Sequence, residues 1–269
     1  MTEARPFILA LAQMRVEGGR WEANLKRAEA CIAEAAAAGA HVVLLPETLD
    51  LGWLDAGARR RAAPVPGGAA CRRLAAAARR HRVHVVAGLT ERAGRRLHNA
   101  AVLLGPDGGL LLHHRKVHEL PEGTALYSTG DRLAVARTPF GVIGLMICAD
   151  AFAPGQVISR TLALMGAQVI LSPCAWAMPA DHDNDRTPYG WLWQENYGPV
   201  ARAHGMWIAG CSNVGRIRSG PWAGRNCIGN SLVVNPAGEP VLRGPHGPSA
   251  EALLLIGVRP GPTRRTAVG

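Results

Sequence analysis

TPFGVIGLMICADAF, residues 138–152, is the stretch from which the fold is read. Pro139-Phe140-Gly141 is a turn signal. The run 142–147 after it is apolar, holds β-branched residues and lacks helical spacing, which marks a buried strand. It stops at Cys148, and small Ala149, acidic Asp150 and the helix-opening pair Pro154-Gly155 come next. A thiol at the tip of a buried strand, where the chain turns towards a helix, can meet a substrate and several backbone N–H groups together. A cysteine alone is more often a small buried hydrophobe than a nucleophile, so the rest of the chain has to decide.

Working outward, the same pattern recurs on both sides. A strand is expected over 7–14 and a helix over 21–38, with Leu25, Ala28, Cys31 and Ile32 on one face and Gly39 closing it. HVVLL, residues 41–45, is a continuous apolar strand that ends at Pro46-Glu47. A carboxylate there lies outside a strand end, where α/β sheets place their ligands. After a loop segment (48–68) come a helix over 69–82 and a strand over 83–90. A hairpin follows, 100–104 with 110–113, turning at Pro106-Asp107-Gly108-Gly109. Its second strand runs into HHRKVHEL and Lys116. Residues 121–131 read as loop, and 133–136 pairs with the strand ending at Cys148. Beyond the cysteine the expectation is a helix over 155–165, a strand over 168–171, a loop over 175–190, a helix over 191–204 and a strand over 206–211. Closing strands follow at 228–234, 240–243 and 253–258. Helices alternate with strands early and hairpins enter in the middle, which argues a mixed-sheet α/β layered domain spanning 1–269 without repeat or linker.

Composition excludes several classes. No run reaches the ~18 apolar residues of a membrane span, and the start, MTEARPFILALAQM, reads as a core strand rather than a signal peptide. Six cysteines without CxxC spacing argue against a disulfide framework or zinc ribbon and for a cytoplasmic, reducing location. The formal charge of +10 comes from dispersed arginines such as Arg59-Arg60-Arg61 and Arg79-Arg80, without interleaved aromatics, so no nucleic-acid partner is expected. Among 30 Lys+Arg residues only Lys26 and Lys116 are lysine. A lysine kept in such a chain can supply what arginine cannot, a compact ammonium or a transferable proton.

Other chemistries fail on their own motifs. Asp181-His182-Asp183-Asn184-Asp185 begins like a calcium loop, but the positions needing Gly and Glu hold Arg186 and Leu192. His114 and His118 have zinc-ligand spacing in a context that would not put them on one helical face. No GxSxG, phosphate-loop or dinucleotide fingerprint is present. What remains is a cysteine-centred site that needs a base: a Cys–His pair is possible with ten histidines, though none follows a strand with an obvious orienting acid, and Glu47, Lys116 and Cys148 each follow an expected strand.

Together these stretches resemble the nitrilase superfamily of carbon–nitrogen hydrolases along nearly the whole chain: LALAQM at the start, HVVLLPET around Glu47, RKVHEL around Lys116, GLMICADAF around Cys148, then SNVG, GPWAG and IGNSLVVNPAGE. The resemblance implies an α/β fold, a four-layer αββα sandwich with mixed sheets. It implies a Glu-Lys-Cys site with Glu47 as general base, Lys116 as cationic stabiliser and proton carrier, and Cys148 as the nucleophile of a thioester intermediate. No cofactor or metal is implied. The family often adds a second glutamate after the lysine; Glu119 and Glu122 compete, and Glu122, farther into the loop, is the expected one. The implied substrate is a small amide or N-carbamoyl compound, and the implied assembly a homodimer or larger homo-oligomer through the helices at 155–165 and 191–204.

The chemistry is coherent in its own right. An amide is a poor electrophile, so its cleavage needs a soft thiolate, oxyanion donors and a proton for the leaving amine. A nearby ammonium is expected to lower the thiol's pKa. In nitrile-cleaving relatives the nucleophile is usually followed by Trp-Glu; Ala149-Asp150 here moves the expectation towards amides. Nitrile hydrolysis, an amide-forming or amidine-processing enzyme built on the same acyl-enzyme, and a non-catalytic binding module are the alternatives, and the intact Glu-Lys-Cys set argues against the last.

Overall fold

A computed structural model describes residues 4–262. In order come β1 (Phe7–Gln13), α1 (Trp21–Ala37) and β2 (Val42–Leu44), then a loop with the short α2 (Ala58–Arg61) and α3 (Ala69–His81). β3 (His84–Ala93), β4 (Arg96–Leu104) and β5 (Leu110–Arg115) lead through the short α4 (Pro121–Thr124) to β6 (Val135–Thr138) and β7 (Gly141–Leu145). Two 3-10 turns, Cys148–Phe152 and Pro154–Gln156, precede α5 (Val157–Leu164), β8 (Val169–Cys174), the two-residue β9 (Ala177–Met178), α6 (Trp191–His204) and β10 (Trp207–Ser212). β11 (Val214–Arg216), β12 (Asn226–Ile228), β13 (Leu232–Val234), β14 (Pro240–Arg243) and β15 (Ala252–Val258) follow.

The strands form two six-stranded mixed sheets, ordered β15-β1-β2-β3-β4-β5 and β14-β13-β10-β8-β7-β6, and a small sheet β11-β12-β9. Strand period decides which way each residue faces. Leu9, Leu11, Val42, Leu44, Val86, Ala101 and Leu103 point from the first sheet into a core shared with Ile143, Leu145, Val169 and Leu171 of the second. Their neighbours Ala10, Ala12, Val43, Leu45, Val85 and Val102 face the other way, against Leu25, Ala28 and Ile32 of α1 and Leu74 and Ala78 of α3. Helices α5 and α6 cover the far side of the second sheet. The result is the expected αββα sandwich, with apolar side chains on both faces of each central strand.

Most expected elements occur, and the differences have local causes. The strand expected over 142–147 ends at Leu145, and Cys148 begins a 3-10 turn with φ 45°. The helix expected from 155 starts at Val157, because Gly155 and Gln156 take left-handed conformations at φ 65° and 53°. The single strand expected over 228–234 is two: Gly229 (φ 64°) and Asn230 (φ 59°) bend the chain between β12 and β13, which lie in different sheets. The expected loops 48–68 and 121–131 contain the short helices α2 and α4, one turn each and too short to show a hydrophobic period.

The topology positions the site. β1, β2 and β3 are parallel, and β5 returns to their direction through the antiparallel β4. β7, β8 and β10 are mutually parallel. Glu47 follows the end of β2, Lys116 that of β5 and Cys148 that of β7, so two residues of one sheet and one of the other meet across the sandwich at one end.

Candidate active site

Glu47 stands in a turn pinned from three sides. Its amide donates to the Cys174 carbonyl at the end of β8 (3.2 Å), and Gly88 of β3 exchanges bonds with the same turn, its N–H to Pro46 O (3.0 Å) and its O from Leu49 N (2.9 Å). Gly88 has to be glycine for this approach: a Cβ there would lie 2.5 Å from the Glu47 Cα and 2.8 Å from Pro46 O and Thr48 N. The absence of a side chain on β3 thus sets where the glutamate's backbone sits.

Lys116 is 2% exposed and lies between two carboxylates, with Nζ 2.9 Å from Glu47 Oε1 and 3.0 Å from Glu119 Oε1. Burial works against its charge, but Glu47, Glu119 and Cys148 outweigh burial and hold the ammonium well above the ordinary lysine value. Asn99 of β4 completes the cluster. Its Nδ2 donates to Glu47 Oε1 (2.6 Å) and, at 3.4 Å, to Glu119 Oε2, while its carbonyl accepts the Lys116 N–H (2.8 Å).

It is Glu119, and not Glu122 as expected, that the structure brings to Lys116. Glu122 sits half-buried in α4 and is in none of the described ion pairs. The chain after Lys116 folds back rather than running outward, and the Glu119 carboxylate lies over Gly123, whose Cβ would come 2.5 Å from it. Burial, first, and the negative charge of Glu47 push the Glu119 carboxyl up, against the pull of Lys116.

Cys148 lies under this cluster, 7% exposed. Its left-handed φ of 45° is costly for a residue with a Cβ and turns the side chain out of the strand direction. Its amide donates to Ser172 Oγ (3.1 Å). Lys116 lowers the thiol's pKa as expected of a nearby ammonium, but it does not act alone. Burial comes first, and the neighbouring Cys174 thiol and Glu47 carboxylate add to it; Lys116 pulls the other way but is outweighed, so the thiol rests protonated and needs a base.

Asp150 has no exposed surface and uses both oxygens. Oδ2 accepts from Ile147 N (2.8 Å) and pairs with His114 Nε2 (2.7 Å); Oδ1 accepts from Val117 N (3.0 Å) and His118 N (2.8 Å). Burial raises its pKa, yet His114 and these amides together hold the carboxyl below its ordinary value. The histidines spaced like zinc ligands thus serve one carboxylate, His114 by its ring and His118 by its backbone. Asn99 and Asp150 escaped the sequence reading. The only signal for Asn99 was its place directly before the apolar run 100–104; Asp150 offered its place two residues beyond the cysteine.

An aromatic wall backs the cysteine turn. Trp193 of α6 stacks on Trp176 (ring centroids 4.3 Å apart) and packs against Phe152 (4.4 Å), and its Nε1 donates to the Tyr189 hydroxyl (2.7 Å). Among the described residues no group of His, Cys, Asp and Glu is arranged to hold a metal ion, and no helix is long and apolar enough to cross a membrane.

The sequence matches the family model described as carbon-nitrogen hydrolase over residues 8–264. It is 33% identical over 240 residues to a protein of Pyrococcus abyssi named nitrilase, covering 86% of this chain and 82% of that one. It is 32% identical to the omega-amidase NIT2 of Danio rerio over 183 residues, 64% of each chain. In fold it is similar to Saccharomyces cerevisiae Nit3, a nitrilase-superfamily member (TM-score 0.81, 22% identity, 96% of this chain and 92% of that one). It is also similar to a nitrilase-superfamily amidase of Nesterenkonia (TM-score 0.78, 24% identity, 94% and 90%).

Proposed function

Because this chain belongs to the carbon–nitrogen hydrolase family, we propose that it hydrolyses a small amide or N-carbamoyl compound through a thioester on Cys148. The observation that carries this reading is the buried Lys116 ammonium held between Glu47 and Glu119 beside the cysteine turn. A resting thiol has no charge to offer, so Glu47 takes its proton as sulfur attacks the carbonyl carbon. The developing oxyanion receives the Lys116 ammonium and the Ala149 N–H, which lies in the first turn of a 3-10 helix, where amides lack intrahelical acceptors. Glu47 then gives its proton to the leaving nitrogen. Ammonia or an amine departs, and water activated by the same carboxylate releases the acid and restores the thiol. Lys116, whose charged form Glu47, Glu119 and Cys148 favour, acts as the fixed cation, with Glu119 and Asn99 holding Glu47 and Lys116 in register.

Relatives named nitrilase and omega-amidase bracket the substrate class. Ala149 after the cysteine favours the amide side, since it lacks the bulk of the Trp usual in nitrile-cleaving members. Ammonia release from a panel of primary amides, N-carbamoyl amino acids and nitriles tests this. Turnover of an amide or carbamoyl compound is expected, and robust nitrile cleavage with no amide activity would overturn it. Repeating the assay with added amines separates hydrolysis from acyl transfer.

The same reading takes residues 1–269 as one catalytic domain, placed in the cytoplasm in keeping with six free thiols, and pairing with a second copy. Val157, Leu164 and Met165 at α5 and Trp191 and Leu192 of α6 are exposed apolar side chains concentrated on two adjacent outer helices, which supports a dimer through that face.

A further inference from the structure

Cys148 and Lys116 come from different sheets, and each lies inside a short segment whose flanks are held by one side chain. Ile147 precedes the cysteine, and His114, Val117 and His118 surround the lysine; all four reach the two oxygens of Asp150 at 2.7–3.0 Å. Resting on the thioester reading above, we propose that Asp150 is a positioning residue that clamps the nucleophile turn to the lysine-bearing segment.

Aspartate suits the task on three counts. Its carboxylate is acceptor-only, so each oxygen can serve two donors, whereas asparagine would turn an NH2 group towards donors on one side. Its side chain is short enough to bond back to Ile147 N, three residues upstream, and so brace a turn in which Cys148 holds a costly φ. Full burial keeps water from replacing any of the four bonds. His114 orients the carboxylate, and glutamine can make the same donation from its amide.

The test compares Asp150→Asn, His114→Gln, His114→Leu and Cys148→Ala, using the amide found by the ammonia panel. Three quantities are read: kcat and KM, the rate at which iodoacetamide inactivates the enzyme at fixed pH, and thermal unfolding. A misplacement near 1 Å costs on the order of 10²-fold. Asp150→Asn is therefore expected to lose ~10²-fold in kcat with KM within ~3-fold, and to slow alkylation of Cys148 in parallel, while still unfolding cooperatively. His114→Gln is expected to stay within ~5-fold of the parent and His114→Leu to lose ~10-fold in kcat and alkylation; the latter carries the test should Asp150→Asn not fold. Parental kcat in Asp150→Asn (or in His114→Leu, should Asp150→Asn not fold), or lost kcat with unchanged alkylation, would overturn the role. Cys148→Ala separates the two layers. If it still turns over, the thioester reading itself fails; if it is inactive while Asp150→Asn has parental kcat, only the clamp fails.

Discussion

Replacing Gly88 by alanine should damage catalysis while touching none of the reacting groups. A Cβ at this position would lie 2.5 Å from the Glu47 Cα, about 1 Å inside the usual ~3.5–4.0 Å carbon contact. It would also press on Pro46 O and Thr48 N at 2.8 Å. All three are backbone atoms, so no rotamer change can relieve the overlap. The turn must lift by roughly 1 Å, and Glu47 moves with it, away from Lys116 and Asn99. Overpacking of this kind costs about 1–3 kcal/mol, which a domain of this size survives, but a 1 Å displacement of a catalytic group costs on the order of 10²-fold in rate. The expected result is a folded protein with a modestly lowered Tm and kcat reduced ~10²-fold. Gly257→Ala is the matched control, because a Cβ there meets nothing within 4 Å; its kcat should equal the parent's. A Gly88→Ala enzyme with kcat within threefold of the parent would refute the argument that β3 sets the position of Glu47.

Lys116→Arg should lose at least ~10²-fold in kcat, because a planar fork cannot occupy the slot that one ammonium fills between two carboxylates; steady-state kinetics on purified protein checks this, and near-normal turnover would mean charge alone suffices. Glu91, buried on β3 and bonded by Arg115 (2.6 and 2.8 Å) and His113 (2.9 Å), has its carboxyl held down to about 2, burial being outweighed by these partners. A depressed acid stabilises above its ordinary value of 4.5 and loses that contribution as pH falls from there towards 2, at most about 3 kcal/mol. Glu91→Gln should therefore be less stable than the parent at pH 7 and approach it near pH 3 in urea titrations, and an equal gap at both pH values would contradict the assignment. Light scattering at micromolar concentration should give a dimeric or larger mass, reduced by Trp191→Glu combined with Leu164→Glu; a monomeric parent would rule out pairing through α5 and α6.

The parts of this molecule legible in the sequence are those written in local periodicity. Continuous apolar runs such as 41–45 revealed strands buried on both faces, and the residues that follow strand ends, Glu47, Lys116 and Cys148, marked the candidate site. Side-chain convergence was not legible. Glu119 lost to Glu122 because Glu122 lies farther into the loop; the packing of the Glu119 carboxylate over Gly123 is a tertiary event with no periodic signature. Asn99 reaches the site only because β4 lies beside β5, and Asp150 only because the two sheets face each other. The downward pull of Lys116 on the thiol was legible, but the burial that outweighs it was not, because burial depends on the whole sandwich rather than on one neighbouring cation.

The central claim is that Cys148 carries the acyl group, and intact-protein mass spectrometry of acid-quenched turnover tests it most directly. With an amide substrate, the expected result is a mass increase equal to the substrate's acyl group less one hydrogen, mapped to the peptide containing Cys148 and absent from inactive Cys148→Ala. Turnover by Cys148→Ala, or an adduct on any other residue with Cys148 unmodified, would contradict it.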